Sequence, residues 1–262
     1  MIDLHAHILP GLDDGPPDTA GALAIARVAA DLGTRALATT SHITVRWGLT
    51  AADLAAARAD LQDDLDAAGI ELQLLAGGEV APERLPDLDD EELAGLALGG
   101  GGTVLLECPF APVGASMEIM VADLRRRGFG VLLAHPERSA TFQRELVRLE
   151  RLIGLGALAQ VTTGSLAGGF GETAHGAAMR MLEAGLVHVI ASDTHDPSHR
   201  PPDLRLAEQA LTDRYGDVSE QLAWMTEAAP AAIVAGSAPP DRPALPRARR
   251  MRRRLRRAWS AR

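Results

Sequence analysis

Two histidines one residue apart, followed by a pair of aspartates between glycines, constrain this chain more than any other feature. They lie in the stretch Asp3 to Gly15, DLHAHILPGLDDG. A short apolar start predicts a strand, and residues at i and i+2 of a strand point to the same face. His5 and His7 can therefore reach one point where the strand opens into a loop, and that loop delivers Asp13 and Asp14. Imidazole nitrogen and carboxylate oxygen together suit hard-to-borderline divalent metals. The structural alternative is a strand with hydrogen-bonded histidines and aspartates that cap a helix near Pro16. The recurrence of comparable residues further along decides for a metal site.

Helix patterns alternate with short apolar runs. Helices are predicted over Thr19–Leu32, from an N-cap at Thr50 to Ala68, over Met117–Arg127, Arg144–Leu155 and Thr173–Ala184, then over Asp203–Leu211 and Ser219–Glu227. After the opening strand, strands are predicted over Arg35–Thr40, Glu71–Leu75, Thr103–Leu106, Gly130–Ala134, Ala157–Val161 and Val187–Ala191. Seven strands in alternation with helices indicate a parallel α/β barrel or sheet. The polar residues at the strand ends are more telling. His5 and His7, His42, Glu79, Glu107, His135, and Asp193 with His195 all fall at or just past a predicted strand end, where barrel enzymes build their sites. Glycines 99 to 102 mark a tight connection, because no Lys-Ser or Lys-Thr follows them as a phosphate loop requires.

Composition narrows the function. Aromatic residues make up 3% of a chain that is 47% hydrophobic, so Ala, Leu, Val and Gly must fill the core. A net charge of −9 argues against nucleic acid as a partner. The nine arginines between Arg247 and Arg262 are unopposed by acid, and removing them takes the net charge of the rest from −9 to −18. Two readings of this basic end stand: a solvated terminus, or contact with an anionic membrane or acidic partner. Cys108 is the only cysteine, which excludes an intramolecular disulfide and points to an intracellular setting. Position 114 is glycine, where a cysteine-type phosphatase would need arginine, so Cys108 is read as core. His175 and His188 are read as structural. No signal peptide or membrane span is evident.

The motifs DLHAHILPGLDDGP, ATTSH, GGEV, LLECPF, LLAHPER, QVTTGSLAGGFG and VIASDTHDPSHRPP, in this order, resemble the PHP (polymerase and histidinol phosphatase) superfamily. More closely, they resemble the bacterial manganese-dependent protein-tyrosine phosphatases of capsule and exopolysaccharide operons, the CpsB/YwqE family. The resemblance implies a distorted (β/α)7 barrel over residues 1–236, with 237–262 as a proline-containing linker and arginine-rich tail. It implies three divalent metal ions, manganese first, with iron or zinc as alternatives. His5, His7, Glu79 and Asp193 would hold one metal, and Glu79, Glu107 and His135 a second. Asp14, His42 and His195 would hold a third, with Asp13 either the alternative to Asp14 or a residue that caps the helix or orients a ligand. Arg138 would grip the phosphate with its fork, and His195 would help to protonate the leaving group. His199, with Arg200, either lines the pocket mouth or belongs to a solvated loop. Ser41, Ile43, Ser139 and Thr194 depart from the family pattern, and none of these departures removes a ligand.

The activity expected is hydrolysis of a phosphomonoester, with phosphotyrosine of a protein as the substrate. A membrane-associated tyrosine kinase is the expected partner, and the cytoplasm, at the inner face of the membrane, the expected location. The alternatives are a small-molecule phosphatase such as histidinol phosphatase, and a non-catalytic PHP-like binding domain. The full set of ligands argues against the last.

Overall fold

In the computed structural model, residues 1–111 and 116–248 are described. The strands, in chain order, are β1 (Ile2–Ala6), β2 (Ala36–Thr39), β3 (His42–Ile43), β4 (Gln73–Leu75), β5 (Glu79–Val80), β6 (Thr103–Glu107), β7 (Gly130–Ala134), β8 (Ala157–Thr162) and β9 (Val189–Ala191). Every pairing is parallel, in the orders β1-β2-β4 and β3-β5-β6-β7-β8-β9. Only Thr40 and Ser41 separate β2 from β3, and only Ala76 to Gly78 separate β4 from β5, so these four strands occupy two positions of a seven-position barrel. A bridge between Ala6 and Thr194 closes it, with the His7 amide donating to the Thr194 carbonyl at 2.9 Å and the Asp193 amide to that of His5 at 2.9 Å.

The two breaks have a local cause. The Thr40 amide turns to the Ala6 carbonyl (2.9 Å), and the Ala6 amide donates to the Thr40 hydroxyl (2.9 Å). At the second break Gly78 packs against the side chains of Leu96, Ile43 and Leu54, and a larger residue there would require Leu96 to shift.

Alternation along the strands separates an inner from an outer core. Leu105, Leu132, Ala134, Val189 and Ala191 form an inner cluster with Leu4 and Leu98, while Val104, Leu106, Val131 and Leu133 pack outward with the helices. The register of β1 against β2 slips between Asp3 and Ala6. Leu4 belongs to the inner cluster and Ala6 to the outer one, so the slip re-aims the end of β1 and turns His5 and His7 inward. Ile233, from the helix Ala229–Val234, closes the bottom of the inner cluster. A side chain at Gly101 would overlap the carbonyl oxygens of Ile233 and Val234, so the glycine connection is shaped to receive this helix.

Thr50 forms a capping box with Asp53, at the predicted helix start. The predicted helix Arg144–Leu155 is instead two pieces, Ala140–Arg144 and Leu146–Gly154, broken where Glu145 leaves helical backbone at φ −124° and ψ 71°. The predicted Ser219–Glu227 helix widens into a π turn over Trp224–Ala228. Residues 237–248, read as a linker, run against the barrel as a strap. Trp224 Nε1 donates to the Pro240 carbonyl (3.1 Å), Gln221 Nε2 to that of Ala244 (2.7 Å), and the Arg242 guanidinium to that of Gly185 while lying over the Trp224 ring. The arginine-rich tail falls outside the described residues from position 249.

Gly101→Ala is expected to lower stability by about 1–3 kcal/mol through overpacking against the last helix. Gly100→Ala, whose side chain would meet nothing, carries only the cost of its positive φ. Urea denaturation of the two variants measures the difference.

Candidate metal centre

All nine expected ligands gather at one rim: His5 and His7 from the end of β1, Asp14 from the loop after it, His42 and Glu79 from the starts of β3 and β5, Glu107 from the end of β6, and His135, Asp193 and His195 from the segments after β7 and β9. Their ligand atoms fall into four overlapping groups, each within 4.8 Å: His7 with Asp14, His42 and His195; His5 with His7 and Asp193; His5 with Glu79 and His135; and His42 with Glu79 and Glu107. The side chains of His5, His7, Glu79, His135, Asp193 and His195 are buried. His135 and Asp193 have φ of 35° and 54°, the two non-glycine residues in the left-handed region among those described. Backbone of that kind persists where surrounding structure imposes it, and it clusters at functional sites.

Hydrogen bonding fixes which imidazole nitrogens face inward. Gln160 Oε1 accepts from His5 Nδ1 (3.0 Å) and also from the His135 amide (3.4 Å), which identifies it as the oxygen. Asp13 Oδ2 accepts from His7 Nδ1 at 2.9 Å. With both Nδ1 protons committed, the Nε2 lone pairs of the neutral rings face each other across 3.2 Å. Glu79 Oε2 lies 3.3 Å from both Nε2 atoms, and Asp193 Oδ1 at 3.4 and 3.5 Å. Buried acceptors aimed at one another are stable only if positive charge sits among them. Protons or metal cations can provide it, and an imidazole–carboxylate donor set fits divalent metal.

Asp13 and Asp14 divide the work between them. The buried Asp13 carboxylate also accepts from the amides of Gly15 (3.0 Å) and His42 (3.1 Å), so it orients His7 and the backbone at His42. The cap of the first helix is Asp18, not Asp13. Asp14 is half-exposed, with Oδ1 3.3 Å from His195 Nε2 and 3.5 Å from His42 Nε2. His195 Nδ1 donates to the Asp193 carbonyl (3.1 Å), which leaves its Nε2 lone pair toward Asp14. Arg138 Nη1 and Arg200 Nη2 both donate to Asp193 Oδ2, at 2.9 and 2.7 Å. The Arg138 guanidinium lies 4.6 Å from the Phe110 ring centroid and 4.3 Å from that of Phe170. His199 lies on an exposed loop, 91% exposed and bound to Asp196, outside the cluster.

Of three further supporting residues, Gln160 and Asp3 carry no sequence signal of their own as site residues, whereas Arg200, one of the two pocket-mouth candidates, reaches the cluster through Asp193. Gln160 sits inside a strand, and Arg200 in a polar loop. The fully buried Asp3 accepts from the amides of His5 (3.3 Å) and Ser192 (3.1 Å) and so holds the slipped end of β1. Burial pushes the Asp3 carboxyl up to about 6. Cys108, His175 and His188 lie away from the cluster: Cys108 is buried, and the two histidines bond to backbone.

The cluster shows the same demand for charge in its titration. Burial works to lower the His7 imidazole, but hydrogen bonds and charge from Asp13 and Glu79 prevail and hold it up to about 10. Burial, reinforced by the charge of Glu79, pushes Glu107 up to about 7. The hydrogen bond with His195 and the charge of the surrounding imidazoles hold Asp14 down at about 2 against its burial.

The fold and this cluster define a metal-binding α/β barrel with its site at the strand ends. Within that class, the chain belongs to the capsular polysaccharide synthesis CpsB/CapC family, whose model matches residues 1–232. It is 36% identical over 219 residues to the tyrosine-protein phosphatase YwqE of Bacillus subtilis, covering 82% of this chain and 85% of that protein. It is 27% identical over 232 residues to the tyrosine-protein phosphatase CpsB of Streptococcus pneumoniae, covering 82% and 91%. A solved structure described under YwqE and CpsB as unique metal-dependent tyrosine phosphatases superposes with a TM-score of 0.82 at 31% identity, over 94% of this chain and 99% of that one. Dihydropyrimidinase of Brevibacillus agri shares the fold alone, with a TM-score of 0.58 at 13% identity over 90% of this chain and 70% of that one.

Two outcomes follow from this geometry. Asp13→Asn is expected to weaken metal binding roughly 10- to 100-fold, the usual effect of losing a partner that orients a ligand; titration of metal into stripped protein reads it. In the metal-free protein, His7 has a folded pKa above its unfolded value. Its contribution is therefore fully present below about 6.5 and is lost as pH rises through about 10. Metal-free stability should fall over that window while metal affinity rises, because binding displaces the proton. Denaturation across pH, with and without metal, checks the sign.

Proposed function

We propose that this chain is a metal-dependent protein-tyrosine phosphatase acting in capsule or exopolysaccharide synthesis. The observation that carries the proposal is the buried set of mutually facing acceptors with the Arg138 fork at its edge, in a chain 36% identical to YwqE. Three divalent ions, manganese first, are assigned to the ligand sets His5–His7–Glu79–Asp193, Glu79–Glu107–His135 and Asp14–His42–His195. The overlap of His7 and His42 between the geometric groups supports a continuous cluster. Such ions, when bound, supply charge neutralisation at the phosphoryl group and lower the pKa of water.

The chain's own residues do the rest. Arg138, held between two aromatic rings, offers a planar pair of donors to the phosphoryl oxygens, with Arg200 beside it. Asp193 keeps both guanidinium groups turned toward the cluster. Asp13 and Gln160 hold the tautomers of His7 and His5. His195 has its Nδ1 proton on a carbonyl and presents a lone pair, which suits a ligand better than a proton donor. A tyrosine leaving group tolerates this, since its phenol has a pKa of about 10 and departs with little help.

The inferred substrate is a tyrosine-phosphorylated protein, with a membrane-associated tyrosine kinase as the partner. Among the described residues no helix is long and apolar enough to cross a membrane. The basic run from Arg247 complements an anionic surface in charge.

The test is turnover of a tyrosine-phosphorylated peptide beside histidinol phosphate, by stripped protein restored with manganese. The peptide should be preferred. Glu79→Ala should abolish turnover, and Arg138→Ala should lower kcat/KM by about 100-fold or more, with Arg138→Lys a poor substitute. Preference for histidinol phosphate would move the assignment to a small-molecule phosphatase.

A further inference from the structure

Phe110 follows β6 and is 50% exposed, although it sits directly beside the metal centre. Its ring stacks on His135, with centroids 5.6 Å apart and planes at 26°, and the Arg138 guanidinium lies 4.6 Å from its centroid. Its backbone is tied down, since the Ala140 amide donates to the Phe110 carbonyl at 3.1 Å. The companion ring, Phe170, is occupied differently. Arg138 and Arg200 lie over it, at 4.3 and 5.7 Å, and it packs so closely on Gly164 that a side chain there would meet it at 2.8 Å. Among the described residues the other strongly exposed large apolar side chains, Val45, Ile119, Val147 and Leu155, are aliphatic. Phe110 is thus the aromatic surface left open where the phosphate-gripping guanidinium and a metal-side imidazole meet.

In an aryl phosphate a single oxygen separates phosphorus from the ring. A ring whose phosphoryl group is held by Arg138 must therefore emerge next to that guanidinium, where the Phe110 ring lies. An alkyl phosphate brings no π face to this position. We propose that Phe110 is a specificity-determining residue, the platform on which the substrate's phenyl ring stacks, so that it selects aryl over alkyl phosphomonoesters. This inference rests on the phosphatase reading of the site and names the part of the site that recognises the substrate side chain.

Because Phe110 also touches Arg138, loss of rate alone would not identify a platform. The measurement is calorimetric binding of phenylphosphonate and methylphosphonate to the manganese-loaded protein, as wild type, Phe110→Leu and Phe110→Tyr. The wild type should prefer phenylphosphonate. Phe110→Leu should weaken phenylphosphonate roughly three- to tenfold more than it weakens methylphosphonate, the size of one aromatic pair, while Phe110→Tyr retains the preference. Equal weakening of both ligands in Phe110→Leu would overturn the proposal, since Phe110 would then act only through Arg138. An unchanged phenylphosphonate affinity would overturn it as well. If the wild type fails to turn over a phosphotyrosine peptide yet prefers phenylphosphonate, the functional reading falls and the ring contact stands.

Discussion

The structure depends on a cluster of electron pairs that cannot be left facing one another without cations. His5 and His7 turn their Nε2 atoms to a point already approached by Glu79 and Asp193. In water such groups would simply be solvated, whereas here they are buried under the barrel rim. Each tautomer is imposed from behind, by Gln160 on His5, by Asp13 on His7 and by the Asp193 carbonyl on His195. The protein is therefore committed to positive charge before any ligand arrives, and the remaining architecture serves to hold that commitment in place.

Holding it requires irregular backbone at several points of a regular fold. The register slip in β1, secured by Asp3, turns inward the face that both histidines share. The break between β4 and β5, at Gly77 and Gly78, lets Glu79 enter the cluster one strand away from His42, with which it is in register. Left-handed backbone at His135 and Asp193 bends the chain as it leaves β7 and β9. The inner core below is built of small and medium aliphatic side chains and sealed by Ile233. A chain so poor in aromatic residues thus places two of its four phenylalanines around Arg138 rather than in the packing.

Much of this could be read from the chain because parallel barrels collect strand ends on one rim. Acidic and imidazole residues after apolar runs are informative there, and His5, His42, Glu79, Glu107, His135 and Asp193 announce themselves in that way. The supporting residues do not. Gln160 lies within a strand, and nothing in its neighbourhood says that its oxygen meets a histidine 155 positions earlier. Asp3 reads as part of an N-terminal motif, while its task depends on Ser192 coming alongside. Arg200 reads equally as pocket lining or loop charge until Asp193 lies within reach. The break at Glu145 and the π turn at Trp224 are settled by tertiary packing, which helical periodicity does not encode.

The strap of residues 237–248 has a directional meaning. It crosses beside Gly185 and Val187, where the chain enters β9, whereas the metal cluster lies where the chain leaves that strand. The strap therefore packs at the pole of the barrel opposite the metal cluster. Anything that grips the strap there leaves the rim that holds the histidines and carboxylates uncovered.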